Sequence, residues 1–169
     1  YEILIGLVGS EMCIRDSRVP AASATHRSRG MTDMDYEKLR DTRNSTNPYA
    51  KRMGIFVEEI GPGCARAVMD VTPDDANPVG VPHGGCYFSL ADTASGSAMA
   101  SHGYYAVTIS ATYNFMRSAK LGDRLLAAAR ETKSGRNVSF FDVEVRDQNG
   151  TLLGSGSFSY YRLDKEIVL

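Results

Sequence analysis

The sequence predicts an α+β domain in which an antiparallel sheet packs on one long helix. Three observations predict it. The stretch from Gly84 to Ser101 has the length of a helix, is built largely of small residues, and contains no Lys, Arg or Glu. Two strand-like segments precede it and four follow it, an order that suits α+β rather than alternating βαβ units. Asn149-Gly150 lies between the last two segments, a strong signal for a hairpin between neighbouring antiparallel strands. With 169 residues, 43% of them hydrophobic, the chain is long enough for one real core. Its net charge of −1 gives no electrostatic reason to bind nucleic acid or a membrane surface.

Residues 1–30 are expected to be foreign to the fold. Glu11-Met12-Cys13-Ile14-Arg15-Asp16-Ser17 is what GAG ATG TGT ATA AGA GAC AG(C/T) encodes, the end sequence of a transposase-based library adapter. The expected native start is Met31, with Arg18–Gly30 as upstream read-through; a genuine disordered tail is the alternative. Asp33 to Arg43 then suits a short amphipathic helix with an acidic start. Asn47-Pro48 reads as a cap followed by Pro at the first helical position, opening a turn or two through Met53. Residues 31–53 thus form a helical segment, and the sheet domain is expected over 54–163.

Gly54-Ile55-Phe56-Val57 starts a strand that Gly61-Pro62-Gly63 turns. In Cys64 to Val71, Ala65, Ala67, Met69 and Val71 share one face, with Arg66 and Asp70 on the other. Thr72 to Pro82 holds three prolines and is a loop. The helix from Gly84 to Ser101 ends at His102-Gly103. The later strands are Tyr105–Met116, Arg124–Lys133, Asn137–Arg146 and Thr151–Tyr161. In the third of these, Phe141, Val143 and Val145 alternate with Asp142, Glu144 and Arg146. Cys64 and Cys86 sit in apolar surroundings and form no disulfide framework, so a reducing cytoplasm is the expected compartment.

The chemistry concentrates in Val81-Pro82-His83-Gly84-Gly85-Cys86 and Leu90-Ala91-Asp92-Thr93. A Gly pair at a helix start lets a substrate approach backbone N–H groups that are unpaired there and lie at the positive end of the helix dipole. Asp92 is the lone charge of the helix, and a carboxylate is costly to bury without a compensating role. A polarising amide site and a carboxylate together suit acyl transfer.

Asn77-Pro78-Val79-Gly80-Val81-Pro82-His83-Gly84-Gly85 followed by Leu90-Ala91-Asp92-Thr93 resembles the signature of the PaaI-like hotdog-fold acyl-CoA thioesterases. The likeness continues through Asn114–Ala119, Gly122-Asp123 and Ser134-Gly135-Arg136, and spans about residues 47–161. It implies a hotdog fold, with a sheet of about six strands wrapped around the helix, and acyl-CoA as the substrate. It also implies Asp92 as the catalytic carboxylate, Asn77 as a polar group lining the reacting centre, and Thr108 as a hydroxyl placing the attacking water.

Each position also has a plainer explanation. Ser89, Ser95 and Gly96 share the Asp92 face and could simply solvate it. His83 could be an N-cap or turn residue instead of a group positioning the thioester, and Asn77 could bridge its own loop through an Asx turn. Gly84 and Gly85 could be turn glycines, although a turn that exposes N–H groups is itself the oxyanion site. Thr108 could be an ordinary strand residue. Arg117, Ser118, Lys133, Ser134, Gly135, Arg136 and Asn137 flank strand ends, where they could hold coenzyme A phosphates or carry solvated charge. Cys86 as a nucleophile with His83 as its base is the rival chemistry; a Cys in apolar surroundings is usually packing.

Helix geometry adds a partner. Asp92 lies eight residues into the helix, about 12 Å along its axis from Gly84 at ~1.5 Å per residue. A carboxylate that must come within roughly 3–3.5 Å of the carbonyl cannot share a helix with the amide that polarises it. The expected enzyme is therefore at least a homodimer with shared sites, assembling further to a homotetramer. No metal or redox cofactor is implied, because His83 and His102 with no clustered acids make a poor ligand set. The alternative function is a non-catalytic acyl-CoA sensor on the same fold, which should lack the helix carboxylate; a dehydratase would need a His–acid pair that neither His has in sequence.

Overall fold

The computed structural model describes residues 34–169; the expectations for residues 1–30 lie outside them. The elements are α1 (Tyr36–Thr46), α2 (Pro48–Arg52), β1 (Ile55–Gly61), β2 (Cys64–Asp70), a 3₁₀ turn (Pro73–Asp75), α3 (Gly84–Ala100), β3 (Tyr104–Phe115), β4 (Arg124–Ser134), β5 (Val138–Asp147) and β6 (Leu152–Glu166). The six strands form one antiparallel sheet in the order β1-β2-β4-β5-β6-β3, wrapped around α3 in the hotdog arrangement.

Helix α3 lies close on the sheet because its inner positions are small. Ala91, Ala94 and Ala98 are completely buried, as is Leu90. Phe141, Val143 and Val145 meet it from β5, as their alternation predicts. The N-terminal helices join this same core through Leu39 and Ala50. Helix α1 begins later than its charge pattern suggests, because the Asp35 side chain accepts the Lys38 N–H at 3.0 Å and caps it there. Asn44 ties α1 to β1 by accepting the Val57 N–H and donating to the Val57 carbonyl, both at 2.9 Å.

Three details depart from simple alternation. Strand β6 runs to Glu166 rather than Tyr161, because its charged end still pairs with Tyr104 at the start of β3. Every non-glycine described residue has negative φ, so Asn149-Gly150 does not form a type I′ turn; Asp147 Oδ1 instead accepts the Asn149 and Thr151 amides, with Gly150 at φ 81°. Most consequential is a register shift in β3 between Thr108 and Ser110. Before this bulge the partly buried residues are Tyr104 and Ala106; after it, they are Ala111 and Tyr113. The bulge thus changes which residues of β3 face the helix side.

Candidate active site

Asp92 lies half-buried on α3 and its carboxylate is anchored by two hydroxyls. Thr108 Oγ1 on β3 and Tyr160 OH on β6 each donate to Asp92 Oδ1 at 2.8 Å. The strands deliver this pair together, since Thr108 and Tyr160 are register partners. The Tyr160 hydroxyl also lies 2.9 Å from the Asp92 carbonyl and 2.9 Å from Ser95 Oγ. Burial, followed by the nearby Asp92 charge, pushes the Tyr160 phenol well above its usual range, so Tyr160 stays a neutral donor. Both bonds fall on Oδ1 and neither uses Oδ2. A cavity of ≈ 400 Å³ adjoins the carboxylate, with Arg43 and Asn47 of the N-terminal segment, Phe88, Tyr105 and Ile167 in its wall.

The helix N-terminus forms a second locus. His83 is the N-cap of α3, and its Nδ1 accepts the Gly85 N–H at 2.9 Å, which places any ring proton on Nε2. The Cys86 N–H goes to the His83 carbonyl. Neither bond takes the Gly84 N–H. Of the Gly84/Gly85 pair, the Gly85 amide is therefore engaged by the cap and the Gly84 amide is not. Gly84 faces the Phe115 ring closely, and a Cβ at Gly84 would lie 3.2 Å from it. A cavity of ≈ 300 Å³ here is lined by Gly84, Tyr87, Phe115, Arg117 and Ser118, among others.

Asn77 holds its own loop: its Oδ1 accepts the Val79 and Val81 amides at 3.0 and 3.2 Å, leaving Nδ2 as the side-chain group free of these bonds. Lys133 and Ser134 end β4, and Gly135, Arg136 and Asn137 make the turn into β5. Gly135 is required there, since a Cβ would stand 2.4 Å from the Val138 carbonyl oxygen. Asn137 accepts the Arg162 amide through its carbonyl. The turn lies at the Thr108 end of the sheet, because Val138 pairs with Tyr161 and Tyr161 with Val107. Arg117 and Ser118 lie beyond the opposite end of β3. One chain therefore brings Asp92 and Thr108 together, and Gly84, Arg117 and Ser118 together, as two separate groups.

Cys86 is not placed for nucleophilic work. It is buried, its thiol lies 3.8 and 3.9 Å from the carbonyl and carboxylate oxygens of Asp75, and burial with that acid pushes its pKa up. His83 Nδ1, the nitrogen committed to the cap, cannot serve as its base. The residues that the sequence reading missed are Tyr160 and Arg43. Tyr160 reads as one more aromatic in a strand, and Arg43 as one charge among many on an amphipathic helix. Among the described residues no group of three or more His, Cys, Asp or Glu could hold a metal ion, and no helix is long and apolar enough to cross a membrane.

A six-stranded antiparallel sheet around one small-residue helix, with a lone carboxylate and a glycine-rich helix start, defines a hotdog-fold protein of the thioester-hydrolysing class. The thioesterase superfamily profile matches residues 79–153. The chain is 37% identical over 99 residues to the acyl-coenzyme A thioesterase PaaI of Escherichia coli, covering 59% of this chain and 71% of that protein. The structure of the E. coli PaaI protein matches with a TM-score of 0.75 at 30% identity, covering 78% of this chain and 96% of that one. A hypothetical thioesterase protein from Streptococcus pneumoniae solved with coenzyme A matches with a TM-score of 0.64 at 26% identity, over 67% of this chain and 88% of that one. Alanine variants of that protein have been solved at an aspartate and at a threonine sixteen positions apart. The chain belongs to the PaaI-like hotdog thioesterases and is a thioester hydrolase.

Proposed function

We propose that this protein hydrolyses acyl-CoA to a free acid and coenzyme A at a site shared between two subunits. The observation that carries this is the Asp92 carboxylate, fixed through Oδ1 by Thr108 and Tyr160, with Oδ2 unspent beside a cavity. The separation of Asp92 and Thr108 equals that of the aspartate and threonine varied in the streptococcal relative. In the base mechanism, Oδ2 takes a proton from water as the water oxygen bonds to the thioester carbon. The Gly84 N–H stabilises the resulting oxyanion, the C–S bond breaks, and the thiolate leaves as coenzyme A. In the nucleophilic alternative Oδ2 itself attacks, giving an anhydride that water then opens.

Strand β3 supports the second subunit. It is an edge strand with Val107, Ile109 and Phe115 exposed and Met116 exposed just beyond its end, a surface that a monomer would ordinarily protect. Pairing with its two-fold copy centred on Thr112 would, with the extra residue of the bulge, bring the Thr108 end of β3 against Phe115 of the partner subunit, whose ring lies against that subunit's own Gly84. Each site would then combine Asp92, Thr108 and the 133–137 turn of one chain with Gly84, Asn77, His83, Arg117 and Ser118 of the other. The basic residues would hold the coenzyme A phosphates from both sides, and further pairing of dimers would give the tetramer. Neither Cys64 nor Cys86 is in a disulfide among the described residues, which accords with a reducing cytoplasm.

The test is release of free thiol from phenylacetyl-, hydroxybenzoyl- and short- to long-chain acyl-CoA by the wild type and by Asp92→Ala. Turnover by the wild type, reduced on the order of 10²–10⁴ in the variant, is the expected result. Binding of acyl-CoA with no turnover of any thioester would replace this reading with the sensor role. Single turnover in ¹⁸O water separates the two routes, since only the anhydride path can leave label in the Asp92 carboxylate.

A further inference from the structure

The cavity beside Asp92 contains a cation that the proposed hydrolysis does not use. Arg43 reaches it from α1, and its Nε is buried with no hydrogen-bond partner among the described residues. Burial lowers the guanidinium pKa, opposed by Tyr160, Asp92 and Tyr105. Among the described residues lining the cavity, Arg43 is the one cation and Asp92 the one anion. Asp92 is served on Oδ1 by two hydroxyls, so its charge is stabilised locally. The buried guanidinium N–H has no comparable acceptor. Arg43 thus brings a guanidinium with no carboxylate bonded to it among the described residues to the wall of this cavity, where an acceptor on the ligand can meet its terminal nitrogens.

We propose that Arg43 makes this cavity selective for acyl groups that end in a second carboxylate. The inference rests on the hydrolase reading above and deepens it. A guanidinium takes a carboxylate through two parallel N–H···O bonds, a geometry that a hydroxyl or methyl end cannot match. The reach also fits. Arg43 Nη2 lies 3.6 Å from where a Cβ on Gly96 would stand. Gly96 is one helical turn beyond Asp92, about 6 Å along α3. A chain of about four to six carbons, with C–C bonds near 1.5 Å, spans that distance between a thioester carbonyl at Asp92 and a carboxylate at Arg43. Gly96 itself keeps the path open, since it carries no side chain between the two charges. Tyr105 and Ile167 line the same cavity and offer apolar wall to the methylenes. The cost is repulsion between the new anion and Asp92, which Arg43 is placed to offset.

The test compares size-matched pairs, glutaryl-CoA against pentanoyl-CoA and adipyl-CoA against hexanoyl-CoA, with enzyme-free blanks. The wild type should favour the carboxylate-ended member of each pair in kcat/KM. Arg43→Met should lower that preference roughly 10- to 100-fold, the range of a lost charged hydrogen bond, and Arg43→Lys should keep part of it. A wild type that favours the plain acyl chain, or a preference unchanged by Arg43→Met, would overturn the proposal. An equal loss for both members would also overturn it, and would make Arg43 a positioning residue for Asp92. Melting curves accompany each variant. In an Asp92→Asn background, where the ligand is not consumed, glutaryl-CoA should raise Tm more than pentanoyl-CoA does, and this difference should vanish when Arg43→Met is added. The melting readout needs no turnover, so it decides the carboxylate subsite even if the hydrolase reading fails.

Discussion

If the catalytic site is shared across a two-fold, two inactive variants of opposite halves should rescue one another. Asp92→Ala removes the carboxylate proposed as base or nucleophile, an expected loss on the order of 10²–10⁴ in kcat. Gly84→Pro removes the one helix-start N–H that neither the His83 cap nor the Cys86 bond consumes, a loss of roughly 2.7–4 kcal/mol, or 10²–10³ in kcat. The backbone accepts this proline, because Gly84 is the first helical residue and His83 before it is extended at φ −63°, ψ 140°. The Phe115 ring is the complication, since any Cβ at position 84 approaches it to 3.2 Å. Gly84→Ala carries the same crowding but keeps the N–H, so the difference between the Ala and Pro variants isolates the amide. Random exchange of the two dead variants makes about half the dimers mixed, each with one intact site of two, so activity returns to about a quarter of wild type per chain. Against a background near a hundredth or below, that rescue is unmistakable in a thiol-release assay. Subunit exchange verified by mass spectrometry with no recovery would mean that Asp92 and Gly84 serve one chain's site. The dimeric mechanism would then be refuted.

Tyr160→Phe should lower kcat about 10-fold with little change in KM, because it frees the carboxylate to rotate while Thr108 still holds Oδ1, a loss in the range of a hydrogen bond to a charged group; steady-state kinetics on one good substrate check it. Arg117→Ala and Arg136→Ala should raise KM for acyl-CoA and leave kcat nearly alone, and the effect should shrink for a short thioester lacking the nucleotide. Asn44→Ala should cost about 1–3 kcal/mol in denaturant unfolding, since it leaves both the N–H and the carbonyl of Val57 without their side-chain partner. Acid stability should depend on Glu131. Burial alone would raise its pKa, but the His102 hydrogen bond at 2.9 Å, with Ser139 and Ser134, holds it below the usual range. A carboxyl depressed in the folded state contributes its full stability above the unfolded value of about 4.3 and loses it as pH falls through the folded value. Glu131→Gln should therefore flatten the acid limb of Tm against pH, and an unchanged limb would remove Glu131 as its source.

The local elements were legible because each rests on a local cause. Asn47 and Pro48 open α2, His83 caps α3, and alternation through Phe141, Val143 and Val145 marks the buried face of β5. The loop from Thr72 to Pro82 was legible from its prolines, although the 3₁₀ turn at Pro73–Asp75 within it was not. What stayed hidden depends on which distant residues meet. Tyr160 reaches Asp92 across 68 positions of sequence, and nothing near either residue announces the pairing. Arg43 enters the cavity only because Asn44 and Leu39 fasten α1 to the sheet domain. The far end of β6, from Arg162 to Glu166, looks like a charged tail until β3 is present to pair with it.

The bulge between Thr108 and Ser110 shows how such a hidden feature could shape the proposed chemistry. A strand with unbroken alternation would send Thr108 and Phe115 to opposite faces, since they are separated by an odd number of positions. Here Thr108 reaches Asp92 on α3, and Phe115 lies against Gly84 at the start of the same helix. One extra residue in the strand lets both ends of β3 address α3. The seven positions between them span about 23 Å at ~3.3 Å per residue, far too long for one substrate carbonyl to bridge. Antiparallel pairing of β3 with a second copy would cancel that separation, because it sets the Thr108 end of one strand against the Phe115 end of the other. On this reasoning the edge strand would serve two needs at once. Covering its exposed Val107 and Ile109 would bury apolar surface, and the same contact would assemble the base and the polarising amide into one site.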